Sequence, residues 1–284
     1  MKVLFFDIDG TLLDHDGRMP VSAGKALNQA KANGHRLILC SGRSKCAVRQ
    51  LMDRFGFDGC VCSAGAYVEY HQQIVNQVTL TNEQKDRLID FFKQSGSVYG
   101  LQCCEYMACP SELYDIYVEN FGLIDEEPEK EAQYLQKDES DDEKLDDMGK
   151  TFIFVDDIRT VQNVEKTFYY GANVGVTEAG EMLGDDFDVR PASYNMPDAN
   201  NGEISLSGIT KSYGMQKLLD FLQVDRKVTI AFGDGYNDLE MLQFVETGVA
   251  MGNAVDELKT IADYVTDSVD RDGIYKAMKY LELI

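Results

Sequence analysis

Apolar residues along this chain fall in short runs, and several runs end in a glycine turn that carries acids or a hydroxyl. Met1-Lys-Val-Leu-Phe-Phe leads into Asp7-Ile-Asp9-Gly10-Thr11, and Leu37-Ile38-Leu39-Cys40 leads into Ser41-Gly42-Arg43. Much later, Val228-Thr229-Ile230-Ala231-Phe232 leads into Gly233-Asp234-Gly235-Tyr236-Asn237-Asp238. Each run is too short for a membrane span and predicts a buried parallel strand. Helical patterning separates them: Val21–Ala32, stopped by Asn33-Gly34, then 44–55, with a third strand at 59–63. The late part repeats the scheme, with a helix over 211–221, the strand 228–232 and a helix near 238–244. Short strands near 248–250 and Tyr264–Val265 follow, then a closing helix from Arg271. Short turns between apolar strands predict right-handed crossovers and an α/β fold, a Rossmann-like doubly wound parallel sheet.

From about residue 80 to 200 the pattern changes. Helical spacing over 82–94 gives way to an extended stretch over 98–107, helix over 111–121, and a very acidic stretch over 125–147. A strand over 151–155, a helix from Arg159, a strand over 172–176, a Gly-rich turn and an extended segment over 187–190 complete it. This mixture predicts an inserted α+β unit. The expected division is a core over 1–79 and 201–284 interrupted by an insert over 80–200, with turn-rich 196–202 as the return linker. The acidic stretch, interspersed with Leu, Tyr and Met, reads as a solvated face of that insert.

Composition narrows the function. The 284 residues, 44% hydrophobic, suffice for two domains. A formal charge of −22 argues against nucleic acid and anionic membranes as partners. Acids at 7 and 9 interrupt the first apolar run at once, so no signal peptide is expected. The seven cysteines suggest free thiols and a cytoplasmic setting. Cys60-Val-Cys62, Cys103-Cys104 and Cys109 lack the spacing of zinc ligands and read as apolar filler.

The strand ends carry the candidate chemistry. Alternation puts Asp7 and Asp9 on one side of the extended chain, and Gly10 lets the backbone fold over them. Two adjacent acids repel unless a cation or a shared proton holds them; the plainer reading is a helix cap. Together with Ser41-Gly42, with Gly208-Ile209-Thr210-Lys211, and with Gly233-Asp234-Gly235-Tyr236-Asn237-Asp238, the Asp-x-Asp-Gly-Thr run resembles the haloacid dehalogenase superfamily, most of whose members are phosphatases. An α/β insert in this interval is similar to the type IIB cap of Cof-type hydrolases. Many Cof-type chains carry Asn-Gly-Ala where this one has Ala64-Gly65-Ala66.

The resemblance implies a Mg²⁺-dependent phosphomonoester hydrolase acting through an aspartyl-phosphate on small phosphorylated metabolites, sugar phosphates first. Asp7 is then the nucleophile and Asp9 the general acid and base. Asp7, the Asp9 carbonyl and Asp234 hold the Mg²⁺, with Asp238 supporting the shell directly or through water. Ser41, Gly42, Asn237 and Lys211 contact phosphate, Arg43 is a further candidate, and Lys217 is the competitor of Lys211. The alternatives are a phosphomutase of the phosphomannomutase type, which shares the nucleophile, and a non-catalytic phosphate-binding regulator. The insert is expected to act as a mobile cap that chooses the leaving group.

Overall fold

A computed structural model describes residues 1–121, 151–192 and 200–284. The strands, in chain order, are β1 Val3–Phe6, β2 Arg36–Cys40, β3 Gly59–Cys62, β4 Tyr67–Tyr70, β5 Gln73–Gln77, β6 Val98–Gln102 and β7 Met107–Pro110. They continue with β8 Phe152–Val155, β9 Lys166–Ala172, β10 Phe187–Pro191, β11 Asn200–Leu206, β12 Thr229–Gly233, β13 Thr247–Ala250 and β14 Tyr264–Val265. Helices are α1 Val21–Ala32, α2 Lys45–Phe55, α3 Asn82–Ser95, α4 Tyr114–Phe121, α5 Val176–Leu183, α6 Lys211–Leu222, α7 Leu239–Phe244, α8 Asp256–Ile261 and α9 Gly273–Tyr280.

Two sheets organise these elements. The larger runs β14-β13-β12-β1-β2-β3-β4-β5, parallel from β14 through β3. β1 lies at its centre, every residue fully buried, with Phe6 stacked on Phe232 of the neighbouring strand at 4.8 Å. Apolar character on both faces is what a parallel sheet between helices demands. Because β1, β2 and β12 are parallel neighbours, the turns after all three emerge at one end, which is where open α/β sheets gather ligands.

The smaller sheet runs β10-β11-β9-β6-β7-β8 and is mostly antiparallel. One face packs on α3 through Leu88, Ile89 and Phe92, and Phe92 stacks on Tyr99 at 4.5 Å. Thr81 and Gln84 form a capping box that starts α3 at this position. No helix among the described residues is long and apolar enough to cross a membrane.

Several sequence expectations need correction. β4 and β5 add an antiparallel hairpin to the parallel sheet where no strand was expected. The stretch over 98–107 is the hairpin β6–β7 rather than one extended run. The helix expected from Arg159 is a single 3-10 turn, Ile158–Thr160, capped by Asp157, before the chain enters β9. The strand expected over 172–176 lies earlier, as β9, and Val176 begins α5 where a Gly-rich turn was expected. Gly175 and Gly184 delimit that helix, so these glycines mark helix ends. Residues 200–202 belong to β11 and pair with β9, so strand rather than linker occupies that end of 196–202. The acidic stretch over 125–147 and residues 196–199 lie outside the described residues.

Candidate active site

The ends of β1, β2 and β12 open on one cavity of about 750 Å³, with the smaller sheet as its roof. Asp7, Asp9 and Asp234 line its floor, Ser41, Gly42 and Arg43 one wall, and Asn237 lies at its edge. The floor is held by backbone geometry. Gly10 has φ +77°, and a Cβ there would stand 2.0 Å from Asp234 Oδ2, so only glycine lets the two loops approach this closely. Thr11 Oγ1 donates to Asp234 Oδ1 at 3.3 Å. The motif glycine and threonine therefore set the position of an acid more than two hundred residues away.

Lys211 stands at the centre. Thr210 caps α6 by accepting from the Tyr213 N–H, and the first residue of the helix turns inward and is buried. Its Nζ donates to Asp7 Oδ1 at 2.5 Å and to Asp238 Oδ1 at 2.6 Å. Burial works against this ammonium, but Asp238 and Asp7 outweigh it and hold its pKa above the ordinary lysine value. Lys217, the competing cation, instead lies over the Tyr213 ring at 5.1 Å. Asp238 is fully buried, and its Oδ2 accepts the N–H groups of Asp234 and Gly235, each at 3.0 Å. Both oxygens of Asp238 are thus engaged, one in orienting Lys211 and the other in fixing the Gly-Asp-Gly turn.

Ligand oxygens of Asp7, Asp234 and Asp238 lie within 4.8 Å of one another. Burial, then the Asp238 charge, push Asp7 well above the usual carboxylate range despite Lys211. The same two causes raise Asp234 to about 7, with Lys211 and the Thr11 hydroxyl opposing them. Asp9 is held in another way. Its carboxylate is half exposed and receives Arg43 Nε at 3.0 Å and a second guanidinium nitrogen at 2.5 Å. The pair is bidentate, which aims Asp9 across the mouth of the site. Ser41 Oγ accepts the backbone N–H of Arg43 at 3.1 Å, which fixes the hydroxyl in the same turn that carries the guanidinium to Asp9.

Sequence reasoning missed several participants. Asn253 Nδ2 donates to Gly10 O at 2.8 Å and Asp234 Oδ2 at 3.2 Å, bracing the acidic turn, whereas Asn237 had been the expected neutral donor. Asn253 follows the buried strand β13 in Met251-Gly252-Asn253, the same strand-then-turn signal that marked the other motifs. From the smaller sheet, Lys166 Nζ donates to Glu203 Oε2 at 2.5 Å and to the Gly42 carbonyl at 3.2 Å. Glu165 accepts from Ser63 Oγ at 2.7 Å and from Gln77 at 2.8 Å, tying the roof to the turn after β3. That turn is strained: Ser63 and Ala64 have φ of 51° and 54°.

Comparison with known proteins shows likeness along nearly the whole chain. The sequence pattern of haloacid dehalogenase-like hydrolases matches residues 4–278. "Putative phosphatase YkrA" of Bacillus subtilis strain 168 is 30% identical over 284 residues, covering 100% of this chain and 98% of that protein. The 5-amino-6-(5-phospho-D-ribitylamino)uracil phosphatase YwtE of the same organism is 23% identical over 293 residues, covering 96% of each. A solved structure described as the HAD subclass IIB sugar phosphatase BT4131 superposes with a TM-score of 0.76 at 24% identity, covering 100% of both chains.

Proposed function

The chain belongs to the haloacid dehalogenase-like hydrolases, and on that premise we propose that it is a phosphatase that takes the phosphoryl group of small phosphomonoesters onto Asp7. One observation carries the reading: a buried carboxylate, Asp7, paired with a buried lysine on the floor of a cavity walled by Ser41 and Gly42. A phosphomonoester resists nucleophiles because its oxygens are anionic, so charge neutralisation and positioning dominate catalysis.

Each group has a task in that reaction. Lys211 orients Asp7 and offers its charge to the transferring phosphoryl group. Ser41 Oγ and the Gly42 N–H donate to the phosphoryl oxygens. Asp9 protonates the leaving oxygen and then takes a proton from the water that hydrolyses the aspartyl-phosphate; Arg43 holds its carboxylate in place between the steps. Asp238 positions Lys211.

A divalent metal suits the donor set. Among the described residues, Asp7, Asp9, Asp234 and Asp238 have Lys211 and Arg43 as paired cations, a formal deficit of two positive charges in all-oxygen surroundings, which favours Mg²⁺. Asp7 and Asp234 would hold it with the Asp9 carbonyl, while Asp238, already engaged at both oxygens, would act through water. When bound, the ion neutralises phosphoryl charge. The division into a core and an inserted cap is part of this proposal; β11 belongs to the smaller sheet, so the expected boundary at 200/201 moves to about residue 206.

Two similar proteins carry names with different leaving groups, a sugar and a ribitylaminouracil, so relatives do not choose the substrate. Phosphate release from a panel of phosphomonoesters tests the reading. Sustained release that is lost in Asp7→Asn supports it. Interconversion of phosphate isomers without release would favour the mutase, and binding without either reaction the regulator.

A further inference from the structure

Glu165, the residue before β9, is a buried acid to which phosphoryl transfer gives no task. It is 1% exposed, and its two oxygens accept from Ser63 Oγ at 2.7 Å and Gln77 Nε2 at 2.8 Å. Both partners lie on the larger sheet or a turn leaving it, whereas Glu165 belongs to the insert. Its own N–H donates to Gln102 O at 2.8 Å, and beside it the Leu80 N–H donates to Val164 O at 2.7 Å. A buried carboxylate is costly unless hydrogen bonds repay the lost water, so its use is to be sought in the partners it holds.

One of those partners opens a strained turn. Ser63, Ala64 and Gly65 have φ of 51°, 54° and 107°, three successive positive values of a kind that glycine alone adopts freely. Such backbone persists only where its surroundings fix it. The turn in its own right fixes the phosphate-binding loop. The Ser63 N–H donates to Arg43 O at 2.8 Å, and the Ala64 N–H donates to Ser41 O at 3.1 Å. The Ser41–Gly42 peptide is trans, so its carbonyl and its N–H point in opposite directions. Anchoring Ser41 O to Ala64 therefore aims the N–H of cavity-lining Gly42 away from the turn. On its other side the turn packs on the start of α6: a Cβ at Gly65 would stand 1.9 Å from Thr210 O, one residue before Lys211. Two parts of the phosphoryl site thus rest on one strained turn, and the insert supplies a hydrogen bond that holds it.

We propose that Glu165 is a positioning residue: by accepting from Ser63 it keeps the 63–65 turn in register with residues 41–43, so that the Gly42 N–H is aimed at the phosphoryl group while the insert is seated on the core. The insert then completes the phosphate site for every ester alike, which is distinct from choosing the leaving group. The inference rests on the phosphatase reading for what the Gly42 N–H binds, and on the geometry of the turn for what aims it.

The test compares an aryl phosphate with a hexose phosphate. Glu165→Leu removes the acceptor, and kcat/KM should fall about 10- to 100-fold by the same factor for both esters, since misaiming one oxyanion donor costs less than deleting it. Inorganic phosphate should also inhibit this variant more weakly. Glu165→Gln keeps an acceptor for Ser63 once Gln77 turns its amide about, and should stay within about threefold of the wild type. Leu and Gln fill similar volumes, so their contrast reads the hydrogen bond and not the packing. Wild-type kinetics in Glu165→Leu overturn the inference, as does a loss that differs between the esters or an equal loss in Glu165→Gln. Should Glu165→Leu fail to fold, Ser63→Ala removes the same bond from the other side: a uniform loss upholds the inference, and wild-type kinetics or an ester-dependent loss refutes it. If the wild type releases phosphate from no ester, the phosphatase reading fails separately. Calorimetric titration with inorganic phosphate then decides: binding weakened in Glu165→Leu and kept in Glu165→Gln upholds the inference, while equal binding by all three, or none by the wild type, refutes it.

Discussion

The floor and the roof of the cavity each bury a lysine paired with a carboxylate, yet the two pairs are built differently. On the floor, Lys211 bridges Asp7 and Asp238, and Asp238 spends its other oxygen on two backbone N–H groups. Charge there is concentrated and short of cations, and the residues come from turns adjacent at parallel strand ends. On the roof, Lys166 answers Glu203 one to one and reaches the floor only through the Gly42 carbonyl. The rest of the roof presents Met107, Phe152, Phe168 and Tyr170, with Arg190, paired to Glu240, at its β10 edge. A surplus of negative charge suits a cation and a phosphoryl group, whereas a largely apolar wall suits the group the phosphate leaves behind. The proposed function thus assigns chemistry to the larger sheet and selectivity to the smaller one.

Substitutions that break the floor should have the largest effects. Asp7→Asn removes the phosphoryl acceptor, and turnover of every ester should fall about 10⁴-fold or more, measured by phosphate release on protein free of wild-type carry-over. Lys211→Met should cost turnover about 10³-fold, since orientation of Asp7 and charge neutralisation go together. The roof equivalent, Lys166→Met, leaves Glu203 unanswered beside the aromatic wall; it should cost stability, by about 3 kcal/mol in urea unfolding, and change the ranking of esters. A uniform loss across esters from Lys166→Met would erase the distinction between floor and roof.

The floor was legible in the sequence and the roof was not, for a physical reason. A strand end followed by a glycine turn is local, so Asp7, Ser41 and Asp234 were found by reading a few consecutive residues each. Lys211 took more, since the sequence preferred it to Lys217 only by its place after Gly208 in a motif that resembles the family's, and the structure adds its burial at the start of α6. Gln102, Phe168 and Glu203 come together through the register of β6, β9 and β11, and no local pattern encodes which strands pair. The same non-locality explains why β9 was read as helix, whereas α5 was read as a turn for a local reason: glycines that end helices look like loop glycines.

Metal and pH sharpen the contrast at the floor. Asp234 keeps its proton up to about 7 when folded, against about 3.9 in an unfolded chain. Its neutral form therefore favours the fold at low pH, and that contribution is lost as pH rises through 7. Mg²⁺ competes with that proton, so the rise in thermal midpoint on adding saturating Mg²⁺ should be larger at pH 8 than at pH 6, approaching about 3 kcal/mol of stabilisation. Equal shifts at both pH values would argue that the acids do not form the cation site.

The smallest effect concerns the turn between the regions. Ala64 sits at φ 54° where many resembling chains have Asn. Ala64→Asn should raise stability by about 0.5–1 kcal/mol, because Asn tolerates the left-handed region better. Chemical denaturation measures this, and a destabilised variant would show that the alanine methyl packs usefully.

The most direct measurement is a rapid acid quench of the enzyme during turnover, followed by peptide mapping of the phosphorylated side chain. Phosphate on Asp7, absent from Asp7→Asn, is the predicted result. Phosphate on another side chain, or undiminished turnover by Asp7→Asn, would contradict the assignment of the chemistry to the floor.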